Sequence, residues 1–170
     1  GRGLSSRRDE ERLLAERYYP ETRVNQDGGE LNCYNCSVAV EQGRSGAGGL
    51  DTLALDSEMQ STYGMRVRYG ADFEQYTDTR GMIAGSTGVI ADANAQGHGF
   101  RGFIAQYRQS SSSSVPVGHV FNVENDSGYV VFLDGQEGGL GAPRDLTHGA
   151  NHGITATEML TTSTGPNPGI

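Results

Sequence analysis

The stretch "GHVFNVENDSGYVVFLDGQEGG", residues 118–139, leaves this chain the least conformational freedom. Two apolar runs, HVFNVEN and YVVFLD, flank a DSG composition suited to a tight antiparallel turn, so a β-hairpin is expected here. With the turn at Asn125 to Gly128, residues that pair across it have numbers summing to about 253, which puts His119 opposite Asp134 or its immediate neighbour. Upstream, RGFIAQYR alternates Phe103, Ala105 and Tyr107 against Ile104 and Gln106 and supplies a further strand. The minimum is a three-stranded meander carrying a histidine at the start of one strand and an aspartate and a glutamine at the end of the next.

The remaining segments read as helices and loops. DEERLLAERYY places apolar residues at 13, 14, 18 and 19, a short amphipathic helix within residues 1–24 that ends at Pro20. The polar turn NQDGGELN leads into CYNCSVAVEQ, expected as a short buried helix that stops at the breaker GRSGAGG. Residues 50–64 suit another helix, MRVRYG at 65–70 alternates like an edge strand, and 72–99 read as helical pieces interrupted by glycines. The serine run at 110–114 is expected as a flexible loop, ITATEML as a last turn of helix, and 160–170 as a tail. At 170 residues, with no repeat or internal linker, the chain is read as one α+β domain; its 26 glycines imply many turns.

Charge narrows the function classes. A formal net charge of −8, with thirteen arginines scattered among twenty-one carboxylates, argues against a nucleic-acid partner, which requires clustered cations. No apolar run approaches the roughly 20 residues needed to cross a bilayer, so no membrane insertion by this domain is expected. The opening residues lack a signal peptide's apolar segment, and any export signal is expected elsewhere. All thirteen cations are Arg. GC-rich coding is the favoured explanation; the other is that a domain working in foreign cytosol, or one that modifies lysines, gains by offering no amino groups.

The chemistry concentrates in Cys33-x-x-Cys36 and the hairpin ends. A zinc site needs two further ligands at suitable spacing, and the pair His148 and His152 sits in a Gly-rich stretch, so no metal and no cofactor are expected. A dithiol redox pair wants a preceding strand in a βαβ unit, which is missing. A third reading is a nucleophilic thiol, because a helix N-terminus stabilises a thiolate through its exposed N–H groups and dipole. Such a thiol needs a base. Of His98, His119, His148 and His152, only His119 begins a strand whose neighbour ends in an acid. A carboxylate at one imidazole nitrogen fixes the tautomer and stabilises the cation formed when the other takes the thiol proton. Against this stand plain structural roles: a packed cysteine, strand-end surface neighbours, Asp134 opening a DG turn and Gln136 capping it.

The pattern from Cys33 to Val40 resembles the segment around the nucleophile of papain-like enzymes. The combination of Asn32-Cys33-Tyr34-Asn35-Cys36 with Gly118-His119-Val120-Phe121-Asn122 and Asp134-Gly135-Gln136 is similar to the papain-fold toxin family, the toxin glutamine deamidases, over roughly residues 30–140. The resemblance implies a papain-like α+β fold, with N-terminal helices carrying the nucleophile on an antiparallel sheet. It further implies a secreted effector or polymorphic-toxin domain, acting in the target-cell cytoplasm, that deamidates a glutamine of a target-cell protein. Carried across, Cys36 is preferred as nucleophile because it directly precedes the apolar helix, with Cys33 as its rival. His119 is then the general base and acid, and Asp134 the orienting carboxylate. Asn32 and Gln136 are candidates for the oxyanion hole beside the Cys36 backbone N–H. An immunity protein is an expected partner. Proteolysis and transglutaminase-type crosslinking share the acyl-enzyme route and stay open, as does a non-enzymatic Gly-rich binding module with a structural cysteine pair.

Overall fold

The computed structural model describes residues 10, 13–25, 32–46, 62–76, 86–108, 117–141 and 154–165. Residues 13–18 are helical, and Pro20–Thr22 form a 3₁₀ turn. Three helices follow, α1 (Cys33–Arg44), α2 (Thr62–Tyr69) and α3 (Ser86–Gln96). The strands are β1 (Glu74–Tyr76), β2 (Arg101–Arg108), β3 (Val117–Asp126), β4 (Tyr129–Asp134), β5 (Gly139–Leu140) and β6 (Ile154–Ser163). They form one antiparallel sheet in the order β1-β6-β2-β3-β4-β5, so the architecture is the expected α+β.

Successive residues of a strand point to opposite faces, and both faces of this sheet are covered. On one side Val89 and Ala93 of α3 pack with Phe100, Ile104, Phe121, Val123, Phe132 and Met159. On the other, Val38 of α1 and Met65 of α2 pack with Phe103, Ala105, Val120 and Leu160. Phe103, Ile104 and Ala105 therefore serve the two layers in turn, each at most 1 % exposed. Burying a Phe or Ile side chain contributes about 1.5–3 kcal/mol, which is what holds helices and sheet together.

Salt bridges pin α1 to its surroundings. Arg44 in its last turn, where a cation complements the helix dipole, pairs with Glu124 of β3 at 2.8 Å and with Glu21 at 3.4 Å, and lies over the Tyr19 ring. Glu41 pairs with Arg101 at 3.2 Å.

The structure corrects four expectations. Residues 65–70 are not an edge strand: 65–69 belong to α2, and Met65 and Tyr69, four apart, share the same apolar cluster while Val67 is exposed. ITATEML is not helical, because β6 fills the slot between β1 and β2, where its threonines suit the pleat. The tail cannot begin at 160, since Leu160 to Ser163 belong to β6 and Leu160 is fully buried. Within 72–99 the helical reading misses β1, a three-residue strand held by pairing with β6. The serine run and most of the 50–64 segment lie outside the described residues.

Candidate active site

The hairpin turns at Ser127 and Gly128, both with positive φ, the conformation that matches the twist of paired strands. Asp126 pairs with Tyr129 and Asn122 with Leu133, so the register lies two residues from the one expected. A shift of two preserves which face each side chain occupies. His119 pairs with Gln106 of β2, while the β3–β4 ladder begins only at Asn122. The imidazole therefore stands beyond the end of that ladder, and Asp134 reaches it diagonally: His119 Nε2 lies 2.7 Å from Asp134 Oδ2.

Asp134 is itself fixed. Its Oδ1 accepts the backbone N–H groups of Gln136 at 3.0 Å and Glu137 at 3.1 Å, leaving Oδ2 for the imidazole. Gly135 lets this turn press on α1. A Cβ there would stand 2.7 Å from Val40 Cγ2, 2.9 Å from Val24 Cγ2 and 3.0 Å from the Cys36 carbonyl oxygen.

Helix α1 begins at Cys33, with Asn32 as N-cap. Two hydrogen bonds one turn further along dock it on β3: Ser37 Oγ donates to the Val120 carbonyl and Asn122 Nδ2 donates to the Ser37 carbonyl, each at 3.0 Å. Cys33, four residues before Ser37 and so on the same face, is delivered to the start of β3. There its thiol meets the His119 side chain and the Val120 backbone, both of which favour its ionised form. With Nε2 engaged by Asp134, Nδ1 is the imidazole nitrogen left for the thiol. Cys36 sits one turn deeper, fully buried among Val24, Ala39, Val40 and Leu133. Of the two thiols, the structure brings Cys33 to His119 and gives Cys36 a packing position. Both are free thiols.

Electrostatics separate the cysteines further. Burial works against a Cys33 thiolate, but the His119 hydrogen bond, the Val120 backbone and the imidazolium charge outweigh it and hold the thiol below its ordinary pKa. Cys36 is pushed up to about 12, first by burial and then by the negative charges of Asp134 and Cys33. Burial disfavours a charged His119, yet the hydrogen bonds and charges of Asp134 and Cys33 raise it to about 10. The arrangement favours thiolate and imidazolium side by side, with the carboxylate behind.

Asn32 and Gln136 also meet in the structure. Gln136 Nε2 donates to Asn32 Oδ1 at 3.3 Å, Asn32 Nδ2 to Asn25 Oδ1 at 2.9 Å, and Asn25 Nδ2 to the Gln136 carbonyl at 3.0 Å. His98, exposed, accepts the Ser127 N–H at the hairpin turn, far along β3 from the thiol, and His148 and His152 lie outside the described residues. Sequence reasoning passed over Ser37, Asn122 and Asn25. For Asn122 a signal existed, since a polar residue inside an apolar strand demands a buried partner; for Asn25, in a polar turn, there was none. Among the described residues no group of three His, Cys, Asp or Glu side chains is placed to hold a metal, and no helix is long and apolar enough to cross a membrane.

No curated protein and no solved structure matches the chain. One family description does, over residues 31–139, a span that holds both cysteines, His119, Asp134 and Gln136. With a thiol, an imidazole and a carboxylate joined on an α+β frame inside that span, the chain belongs to the papain fold toxin 1, glutamine deamidase family.

Proposed function

We propose that this domain deamidates a glutamine side chain of a target-cell protein, with Cys33, in place of the Cys36 preferred from sequence, as nucleophile. The observation that carries the reading is the Cys33–His119–Asp134 array, in which the imidazole held 2.7 Å from the Asp134 carboxylate also favours the ionised form of the Cys33 thiol. The Cys33 thiolate attacks the carboxamide carbon and gives a tetrahedral oxyanion. His119 protonates the nitrogen as the C–N bond breaks, and ammonia departs. Water, losing a proton to His119, attacks the thioester carbon; the C–S bond breaks, leaving glutamate and the regenerated thiolate–imidazolium pair. Asp134 acts through His119, holding the ring and its charge. The net change is one amide lost and one negative charge gained, enough to disable a partner surface.

The domain is proposed to act in target-cell cytoplasm after secretion as part of a larger toxin, with an immunity protein protecting the producer. Mass spectrometry of a target-cell lysate treated with the 170-residue chain tests the reading. A gain of about 1 Da at a glutamine, absent with Cys33→Ala, is expected. New peptide termini would assign proteolysis instead, joined peptides crosslinking, and unaltered peptides a binding module.

A further inference from the structure

An N-cap asparagine ordinarily turns its side-chain oxygen onto an N–H of the first helical turn. Asn32 does not: it makes no side-chain cap hydrogen bond, although it is 1 % exposed and sits directly before Cys33. Its carbonyl oxygen is engaged by Gln136 and its amide nitrogen by Asn25, whose own amide returns to the Gln136 carbonyl. The three residues close a ring from Asn25, through the N-cap, to the turn after Asp134. The first intrahelical bond, Cys36 N–H to the Asn32 carbonyl, is intact at 3.0 Å, so the diversion concerns the side chain alone. The N–H groups at the start of a helix have no intrahelical partner and sit at the positive end of the dipole, the place where an oxyanion formed on a first-turn thiol needs donors.

We infer that the Asn25–Asn32–Gln136 ring is a positioning device that withholds the N-cap side chain from α1 and so keeps the first-turn N–H groups aimed at the oxyanion, with Asn25 its distal member. Asn32 and Gln136 then serve as braces, and the backbone supplies the donors. This inference rests on Cys33 being the nucleophile proposed above.

The test compares two reactions of the full chain. Alkylation of Cys33 by iodoacetamide needs the thiolate but forms no oxyanion. Acylation by p-nitrophenyl acetate needs the same thiolate and passes through a tetrahedral oxyanion as p-nitrophenolate leaves. Their ratio isolates oxyanion stabilisation and cancels any change in thiolate content. Asn25→Ala is expected to lower acylation about 10- to 100-fold, short of the ~10²–10³ seen when an oxyanion donor is deleted outright, while alkylation stays within about twofold. Adding Gln136→Ala should lower the ratio little further, because members of one unit are not additive. Asn25→Asp, which keeps the acceptor for Asn32 but loses the donor to Gln136, should fall between, and it stands in should Asn25→Ala fail to fold. An unchanged ratio in Asn25→Ala, acylation and alkylation falling together, or a wild-type thiol that alkylates but is never acylated would each overturn the inference. Ammonia release by the wild-type chain from benzyloxycarbonyl-Gln-Gly tests the amide-hydrolysis reading separately, since the ester assay does not depend on it.

Discussion

Replacing Asp134 with asparagine changes one atom of the carboxyl group and tests whether the carboxylate acts through the tautomer of His119. Oδ1 accepts two backbone N–H groups, from Gln136 and Glu137, so the amide oxygen of the Asp134→Asn variant must stay there; the reversed amide would set N–H against N–H. The amide nitrogen then faces His119 Nε2, now held at 2.7 Å by a carboxylate oxygen. To accept from it, the ring must carry its proton on Nδ1, the nitrogen left for the thiol, and a protonated Nδ1 is no base. The equivalent exchange in a hydrolase triad costs about 10⁴ in kcat. A loss of about 10³–10⁴ is expected here, or ~4–5.5 kcal/mol of transition-state stabilisation. His119, deprived of the main hydrogen bond and charge that raise it to about 10, should titrate at lower pH. Ammonia release from benzyloxycarbonyl-Gln-Gly gives the rate, and NMR titration of the imidazole gives the pKa. A variant keeping more than about a tenth of wild-type kcat, or an unmoved His119 titration, would refute the reasoning.

Three further outcomes follow from the same contacts. Gly135→Ala sets a methyl against Val40, Val24 and the immovable Cys36 carbonyl, so thermal unfolding should show a loss of about 1–3 kcal/mol, with kcat falling more than the stability loss explains because the Asp134 turn is displaced. Arg44→Met leaves Glu124, whose side chain is 8 % exposed, without its cation; denaturant unfolding should register a loss of about 3 kcal/mol. The pH dependence has two limbs. His119 is raised, so its contribution to stability is complete below its unfolded value near 6.5 and is lost as pH rises through about 10. Cys33 is lowered, so its contribution is complete above the ordinary thiol range and is lost as pH falls through its depressed folded value. Iodoacetamide should therefore alkylate Cys33 of the folded chain at lower pH than it alkylates the thiols of the unfolded chain.

What was legible in the sequence is the part encoded locally. The hairpin and β2 announce themselves by alternation, and two positive-φ turn positions fall on Ser127 and Gly128. Even with the register misplaced by two residues, face parity survived, and His119 and Asp134 meet. β6 was illegible because its strand identity comes from filling the slot between β1 and β2, a contact between distant segments. The alternation of Met65, Val67 and Tyr69 imitates a strand, but packing selects the four-residue spacing of Met65 and Tyr69. The preference between the cysteines turned on where α1 starts. The apolar run Val38–Val40 marks where the helix is buried; Asn32, a residue type favoured at N-caps, marks the position just before it begins, which makes Cys33 the first helical residue. The half-buried Cys33 at the helix start suits a reactive thiol, and the fully buried Cys36 one turn on suits a packed one. Asn25 carries no signal at all, because its partners are set by the closing of the β4 turn onto α1.

Ammonia release from benzyloxycarbonyl-Gln-Gly by Cys33→Ala, set beside Cys36→Ala, probes the proposed chemistry at its reacting atom. Cys33→Ala should lose at least ~10³-fold in kcat, while Cys36→Ala, relieved only of a buried packing sulfur, keeps its rate within about tenfold. Activity that survives the loss of Cys33 and disappears with Cys36 would contradict the assignment.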